Sequence, residues 1–512
     1  MATTRQAPFN DFYQAAQPVS AYERSVWGLA AILFDDQDST TYGIPKSEQG
    51  KYDARIRKDR LAAFWQQICE EEAETNAREL QSAEERAIAF LSANKVGKAC
   101  ETLLQSKNYR LATLIAQIGN NGTMHTEIAS QISTWRDLNV LSEISEPIRA
   151  LYSLLAAQTC TCEGKKAQHI EDRANTFSIS ERFNLDWKRA FGLRLYYAIE
   201  TNDPIEVAVA AFAEDIKNDE PKKPGDDLLY ALLQVYAASK KWLPFPSLAH
   251  ILLPQTQEPS ALTARLSFQL YCALTGRFPD SADSTVADTI STQFAVQLDA
   301  AGEWLWALFA LIHISDPTNR EQRIKALLAH HAGDLVADPP HDDRWKDIID
   351  IYKVPETWLY QAKALRARAV DHDRLREAGY LVKAEQWVDA HEVLKRVVGP
   401  DCVIAEEWDK LQGLLTAFRT SKEKIRGWEL GGQVYADYWG IVTEATGGRE
   451  KGKVLKGLME CLPALLRDVE KGRESEGKNE KELFREMVAL EEMKRVTERE
   501  VAVMEEQGSD GR

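Results

Sequence analysis

The chain has 512 residues, of which 44% are hydrophobic and 28% are charged, close to the average of soluble globular proteins. This length suffices for about three compact domains or one long repetitive one. Acidic residues outnumber basic ones by 79 to 63, and the formal charge of -16 disfavours a surface that coats nucleic acid. The seven cysteines are an odd number spread over a long chain, so we expect reduced thiols inside the cell.

Apolar residues recur at spacings of three and four along most of the chain, and short polar or Pro/Gly breaks separate the stretches. This pattern predicts amphipathic helices. In chain order the clearest are Ala21–Phe34, Leu61–Glu74, Ala83–Leu91, Lys95–Leu104, Tyr109–Ile118, Glu146–Ala157, Leu185–Ile199, Ile205–Ile216, Leu228–Ala238, Leu262–Leu274, Glu303–Ile314, Arg320–His331 and Glu356–Ala369. Ser82 and Glu85 have the spacing of a capping box. Alternating runs that could build a sheet are missing from the sequence.

Many helices joined by short loops usually stack into a solenoid. The sequence shows no strict repeat of about 34 or 40 residues, so we predict an irregular all-α stack. Polar breaks at 39–51, 218–227, 254–260 and 338–343 are candidate joints. The charged stretch from Gly447 to Arg512 is typical of a solvated helix or a frayed tail.

Neither a secretory signal nor a membrane span is expected. The N-terminus lacks an apolar segment followed by a cleavage site. The most apolar run, Trp304–Ile314, is about half the roughly 20 residues that a transmembrane helix needs. We therefore predict a buried helix there.

One segment is similar to a phosphate-binding loop but incomplete. Gly447, Gly452 and Lys453 have the right spacing, but Val454 stands where Ser or Thr would bind magnesium. A helical pattern precedes the segment, whereas a phosphate-binding loop follows a strand. We interpret the match as chance.

Candidate metal ligands are also incomplete. Cys160, Cys162 and His169 lack the second ligand pair of a structural zinc site. Two acidic clusters could bind magnesium, as in all-α diphosphate enzymes, but they flank helix ends, where carboxylates are favoured anyway. They are Asp35, Asp36 and Asp38, and Asp342, Asp343 and Asp347. Three histidines on apolar helices, His313, His330 and His331, are more simply packed or half-exposed side chains.

The sequence shows no hydrolase elbow, zinc-protease motif or Cys-His signature. We therefore predict no catalytic, cofactor-binding or metal-binding residues. The 13 tryptophans recur within helices and should anchor helix layers. Since an irregular stack leaves apolar faces uncovered, composition alone favours an interaction scaffold.

Eight segments spread over most of the chain carry a resemblance to one family. They are SVWGLAAILF (25–34), SANKVGKACETLLQSKNYRLATLIAQIG (92–119), LDWKRAFGLRLYYAI (185–199), GEWLWALFALIHI (302–314), REQRIKALLAHHA (320–332), VPETWLYQAKALRA (354–367), YLVKAEQWVDAHEVL (380–394) and WELGGQVYADYW (428–439). Through them the chain resembles the scaffold nucleoporins released as the C-terminal half of an autocleaved precursor. These belong to the Y-shaped nuclear pore subcomplex and to the ancestral coatomer element family.

The resemblance implies a solenoid folded back on itself, with trunk, crown and tail modules. The implied division is an N-terminal linker (1–18), an ascending trunk part (19–79), a crown (80–244), a descending trunk part (245–399) and a tail (400–512). It also implies a non-catalytic scaffold of the nuclear pore at the nuclear envelope, which supports pore assembly, mRNA export and protein transport. A COPII-type vesicle coat scaffold is the alternative, and an all-α metal-dependent diphosphate enzyme is a more distant one.

The family's partners are implied in the same way. They are a nucleoporin of the same fold at the crown, two arm nucleoporins at the tail, and a β-propeller subunit shared with COPII. An N-terminal β segment of the family completes that propeller, but about twenty residues without strand patterning precede the first predicted helix here. The chain also opens with Met1, where cleavage in the family leaves a Ser. We therefore expect a trimmed N-terminus that binds the propeller weakly.

Two apolar stripes are the predicted protein interfaces, with plain core packing as the alternative for the crown. The crown candidates are Leu138, Leu141, Ile144, Ile148, Leu151 and Tyr152. The tail candidates are Leu411, Leu414, Leu415, Phe418, Val434 and Tyr438, chosen because little apolar chain follows to cover them.

Overall fold

The fold comes from a computed structural model. It describes residues 7–16, 20–36, 49–119, 122–167, 169–200, 202–218, 220–225, 227–246, 248–253, 264–278, 283–336, 342–419, 421–444, 446, 448–475 and 480–509. Asp38, Gly447, the predicted break at 254–260, and most of the predicted breaks at 39–51 and 338–343 lie outside these residues. The chain divides into two compact units, residues 1–290 and 291–512.

Helices build the first unit, with one very short β-hairpin. They are α1 (Phe9–Ala15), α2 (Ala21–Phe34), α3 (Gln49–Glu79), α4 (Ala83–Leu91), α5 (Val96–Gln105), α6 (Tyr109–Ile115), α7 (Gly122–Asp137), α8 (Glu146–Leu155), α9 (Ile179–Arg182), α10 (Trp187–Leu193), α11 (Ile205–Asn218), α12 (Leu228–Ser239), α13 (Leu248–Leu252) and α14 (Ala264–Arg277). Strands β1 (Thr161–Cys162) and β2 (Phe177–Ser178) pair antiparallel, with Thr161 opposite Ser178. Short 3-10 turns cover Leu141–Glu143 and Ile170–Asp172, and a π-helical turn covers Arg194–Ala198.

The N-terminal helices of this unit pack against helices that come some 200 residues later. Tyr22 on α2 donates a hydrogen bond to Asp227 at the start of α12, 3.0 Å away. The ion pairs Glu23–Arg265 (2.6 Å) and Asp35–Arg277 (2.9 Å) join α2 and its C-cap to α14. The chain therefore returns to its beginning within the first unit.

The long helix α3 is anchored to α10 by a buried tryptophan. Trp65 is fully buried, and its indole N–H donates to the backbone oxygen of Lys188 at 2.8 Å. Its ring meets the edges of Trp187 and Phe191, at centroid distances of 5.9 and 4.9 Å. Such aromatic contacts add to the burial of a large apolar area and fix the crossing of the two helices.

Helix α15 (Ser284–Ala300) contains the boundary between the units, and the second unit continues with helices. They are α16 (Trp304–Ile312), α17 (Pro317–His330), α18 (Asp343–Asp350), α19 (Glu356–Ala369), α20 (Arg374–Lys383), α21 (Trp387–Val393), α22 (Gly399–Ala405), α23 (Trp408–Phe418), α24 (Gly432–Val442), α25 (Gly448–Ser475) and α26 (Glu480–Ser509). A π-helical turn, Leu394–Val398, joins α21 to α22, and 3-10 turns cover Ala332–Asp334, Lys422–Lys424 and Trp428–Leu430.

The all-α prediction is confirmed, with the short hairpin β1–β2 as its one exception among the described residues. The linker predicted for residues 1–18 is wrong in its middle, because α1 forms there. Phe9 is buried and its ring lies 5.5 Å from Phe34 and 6.2 Å from Trp27, so α2 supplies the apolar cover. The capping box is also wrong: Ser82 precedes α4, but its hydroxyl donates to Glu84.

The charged C-terminal stretch is not a frayed tail in its described part. Helices α25 and α26 pack against each other, and α26 also contacts α22 and the preceding π-helical turn. Their buried apolar side chains are Leu455, Leu458, Leu462, Leu465, Ala489, Leu490 and Met493. A single apolar core therefore runs from α19 to α26, across the predicted boundary between trunk and tail at residue 399.

Candidate protein-interaction surfaces

Half of the predicted crown interface lies in the core of the first unit. Leu141 and Leu151 are buried, and the buried Tyr152 ring meets the edge of Trp135 at a centroid distance of 4.8 Å. We withdraw these three residues from the interface set, because the chain's own helices already cover them. Ile144 and Ile148 are half-buried. Leu138 is 68% exposed, so a partner could contact it.

Two residues that the sequence analysis missed extend the surface around Leu138. Val140 is partly exposed and Ile170 is 77% exposed. The 3-10 turns Leu141–Glu143 and Ile170–Asp172 contact each other, which brings Ile170 near the segment that carries Leu138 and Val140, just before the first turn. We call Leu138, Val140 and Ile170 the crown-edge surface. No apolar periodicity surrounds Ile170, so no local pattern could have indicated it.

The backbone beneath the crown-edge surface is held by a buried arginine. Arg149 on α8 donates to the backbone oxygens of Glu163 (3.0 Å) and Asn175 (2.8 Å), one on each side of the hairpin. Its guanidinium also lies 5.4 Å from the centre of the Phe177 ring. The loop that carries Ile170 is therefore tied to α8, which favours a preformed surface over one that orders on binding.

All six predicted tail residues are buried in the second unit. They lie on α23, which contacts α20 and α22, and on α24, which contacts α25, and they share one apolar core with residues of α26. The set is Leu411, Leu414, Leu415, Phe418, Val434 and Tyr438. The prediction failed because it treated the charged stretch after residue 447 as unable to cover them. The larger apolar side chains that the tail does expose include Ile404, Leu430 and Phe484.

A buried carboxyl in the second unit gives a pH-dependent prediction. Glu486 on α26 is buried, and burial raises the pKa of its carboxyl above the ordinary value of 4.5, although Lys395 and Arg396 act in the opposite direction. Because the pKa of this carboxyl is higher in the folded state than in the unfolded state, the group adds stability that is fully present below pH 4.5. That stability is lost as the pH rises through the folded-state pKa. At neutral pH the ionised Glu486 carboxylate therefore lowers the free energy of unfolding.

We expect Glu486→Gln to raise the melting temperature at pH 7, by about 2–4 °C for each kcal/mol recovered. The difference from the unmodified chain should vanish below pH 4.5, where the carboxyl is protonated in both states. Thermal unfolding followed by circular dichroism measures it. Glu491→Gln, at an exposed position of the same helix, is the control and should change nothing. Equal effects of the two variants would contradict the prediction.

The sequence's candidate chemical sites have structural uses. Asp342 caps α18 by accepting the backbone N–H of Trp345 at 2.9 Å, and the exposed Asp343 lies in the first turn. Asp35 accepts the backbone N–H groups of Phe9 and Asn10 and pairs with Arg277. These contacts occupy carboxylates that a magnesium site would need.

The structural settings of the other incomplete motifs disfavour phosphate and zinc binding. Gly452 and Lys453 lie inside α25 rather than in a loop. Burial raises the pKa of both the Cys160 and the Cys162 thiols, which disfavours the thiolate that binds zinc. Within the described ranges, none of the helices combines the length and the hydropathy that a bilayer crossing requires.

Comparison with known proteins identifies the family. The family model described as Nuclear protein 96 matches residues 85–366, more than half of the chain. The chain belongs to the Nuclear protein 96 family. The match begins in α4 and ends in α19, so it includes the crown-edge surface.

Members of related nucleoporin groups from distant organisms align with most of this Nuclear protein 96 family chain. Nucleoporin NUP145 of Chaetomium thermophilum is 33% identical over 444 residues, covering 86% of this chain and 22% of that protein. Nucleoporin nup189 of Schizosaccharomyces pombe is 31% identical over an alignment that covers 82% of this chain and 24% of that protein. Nuclear pore complex protein Nup98-Nup96 of Drosophila melanogaster is 25% identical over an alignment that covers 81% of this chain and 21% of that protein. The chain thus spans less than a quarter of each of these relatives.

Proposed function

We propose that the chain is a non-catalytic scaffold subunit of the nuclear pore complex, at the nuclear envelope. The family match carries this proposal, and the names of the relatives point the same way. The all-α fold supports it, because stacked helices offer long surfaces for protein contacts. In this role the chain would support pore assembly and hence mRNA export and protein transport.

We further propose that the crown binds a second scaffold nucleoporin of the same fold. The crown-edge surface supports this step, since it presents exposed apolar side chains on a backbone that Arg149 holds in place. The tail would join the arm nucleoporins through its exposed residues, such as Leu430 and Phe484, rather than through the buried set.

The crown proposal is tested by placing a charge on the exposed surface. Leu138→Asp and Ile170→Asp should each weaken binding of the crown partner at least tenfold, because the interface would bury an unpaired charge. Their melting temperatures should stay close to that of the unmodified chain, since both side chains are exposed. Titration calorimetry with the purified partner measures the affinity.

Two control variants sharpen this test. Val296→Asp changes another exposed apolar residue and should leave crown binding intact. Tyr152→Asp changes a buried residue and should lower the melting temperature instead. Unchanged affinity in both Leu138→Asp and Ile170→Asp would refute the crown-edge surface as the interface.

The COPII-type coat is the alternative scaffold, and localisation separates the two. A fluorescent fusion should label the nuclear rim, whereas labelling of endoplasmic reticulum exit sites would favour the coat. The diphosphate enzyme is disfavoured by the capping role of Asp342. Calorimetry with magnesium and diphosphate would support the enzyme only if the unmodified chain bound them and Asp342→Ala and Asp343→Ala did not.

A further inference from the structure

Two helix ends of the second unit bring together residues that are far apart in sequence. Asp299 lies in the last turn of α15, His330 is the last residue of α17, and His331 follows it. One potential ligand atom from each of the three lies within 4.8 Å of the others. The sequence pattern favours ordinary packed or half-exposed side chains for both histidines, and it gives no indication that Asp299 lies beside them.

The His331 ring is held in a fixed position. It stacks on the Trp304 indole, with ring centroids 5.0 Å apart and an interplanar angle of 6°. On one edge, Nδ1 lies 3.2 Å from Oδ2 of Asp334, and on the other, Nε2 lies 2.6 Å from Oδ1 of Asp299. In metal-binding histidines one ring nitrogen usually donates to a carboxylate and the other binds the ion. With Nδ1 oriented by Asp334, Nε2, which here contacts Asp299, is the ligand atom that His331 can offer.

The electrostatic environment favours a cation. Asp299 and Asp334 place two carboxylates next to the His331 imidazole. Asp299 and His330 also lie at the C-terminal ends of α15 and α17, and the C-terminus is the negative end of the helix dipole. His330 is exposed, so its ring can turn toward the ion, and it already contacts the His331 ring at a centroid distance of 4.8 Å.

We propose that Asp299, His330 and His331 bind one zinc ion, with water as the fourth ligand. Two imidazole nitrogens and one carboxylate oxygen form a borderline donor set, which suits Zn²⁺ better than Mg²⁺ or Ca²⁺. Zinc bonds of about 2.0–2.2 Å in tetrahedral geometry require the Asp299–His331 pair to open to roughly 3.3 Å. Asp334 then retains its hydrogen bond to Nδ1 and orients the ring. The ion would fasten the end of α15 to the end of α17.

The experiment uses the whole chain, stripped with a chelator and titrated with zinc chloride in a calorimeter. We expect one ion per chain, with affinity lowered at least tenfold in His330→Ala, His331→Ala and Asp299→Asn. His313→Ala, a histidine variant outside the cluster, just after α16, should bind as the unmodified chain does. Zinc should also raise the melting temperature of the unmodified chain and not that of His330→Ala, since an ion that binds only the folded state stabilises it.

Two further measurements separate zinc binding at this cluster from misfolding and from zinc binding at the cysteines. His330 is exposed, so His330→Ala should fold normally, and its melting temperature in chelator checks this. Cobalt replaces zinc as a spectroscopic probe, because thiolate ligands give a strong near-ultraviolet charge-transfer band that nitrogen and oxygen ligands lack. Absence of stoichiometric zinc uptake would overturn the proposal. Unchanged zinc affinity in His330→Ala would overturn it as well. A thiolate band with cobalt would also overturn it, by assigning the ion to the cysteines.

Discussion

Arg194→Ala should destabilise the first unit by about 3–5 kcal/mol, the cost of breaking a buried ion pair by removing one partner. The Arg194 side chain is 1% exposed and pairs with Glu220, 0% exposed, at 3.0 Å, and with Asp215 at 2.6 Å. It also donates to the backbone oxygen of Ala190 at 2.6 Å. Without the guanidinium, the Glu220 carboxylate stays buried with no counter-charge.

Further contacts in the same network compensate the burial of the Arg194 and Glu220 charges. Its guanidinium lies 4.9 Å from the centre of the Phe212 ring, and Ser180 and the backbone N–H of Lys222 donate to Glu220. Arg194 begins the π-helical turn that follows α10. The ion pairs therefore fasten this irregular turn to α11 and to the segment after it.

Chemical denaturation of Arg194→Ala measures the loss, and two variants control it. Arg182 also pairs with two carboxylates, Glu85 and Glu146, but is 41% exposed, so Arg182→Ala should cost about 1 kcal/mol or less. Adding Glu220→Gln to Arg194→Ala should recover part of the stability, because it removes the stranded charge. If Arg194→Ala and Arg182→Ala lowered the free energy of unfolding by the same amount, the proposed role of the buried network would be contradicted.

Phe418→Ala should destabilise the second unit by about 3–5 kcal/mol, as expected for removing a buried aromatic ring. Phe418 is fully buried and its ring centroid lies 5.4 Å from that of Trp428. It belongs to the core that α25 and α26 complete. The loss combines the lost apolar burial with the cavity left behind.

The matched control is Phe484→Ala, because Phe484 is 58% exposed on α26. This variant should change the stability by no more than about 0.5 kcal/mol. Urea unfolding of both variants, followed by tryptophan fluorescence, measures the difference. If Phe418 were instead a partner-facing residue, Phe418→Ala would leave the stability unchanged and weaken binding of the arm nucleoporins.

The tail shows why the interface prediction could fail while the helix prediction succeeded. The stripe on α23 was correctly assigned to a helix, since apolar residues three and four apart share one face. The same stripe is compatible with a core and with a partner surface. Only the position of α25 and α26 decides between them, and their many charges hid the buried leucines Leu455, Leu458 and Leu462.

The sequence by itself determined the all-α class and the family, because helical hydrogen bonds and apolar periodicity are local and the similar segments are spread along the chain. The tertiary structure alone decided which apolar faces remain exposed. Leu138 and Tyr152 belong to one predicted stripe, yet the first is exposed and the second is buried against Trp135. It also decided that Asp299 lies beside His331, 32 residues away. Burial and side-chain clusters depend on contacts between distant segments, and a local sequence pattern does not predict those contacts.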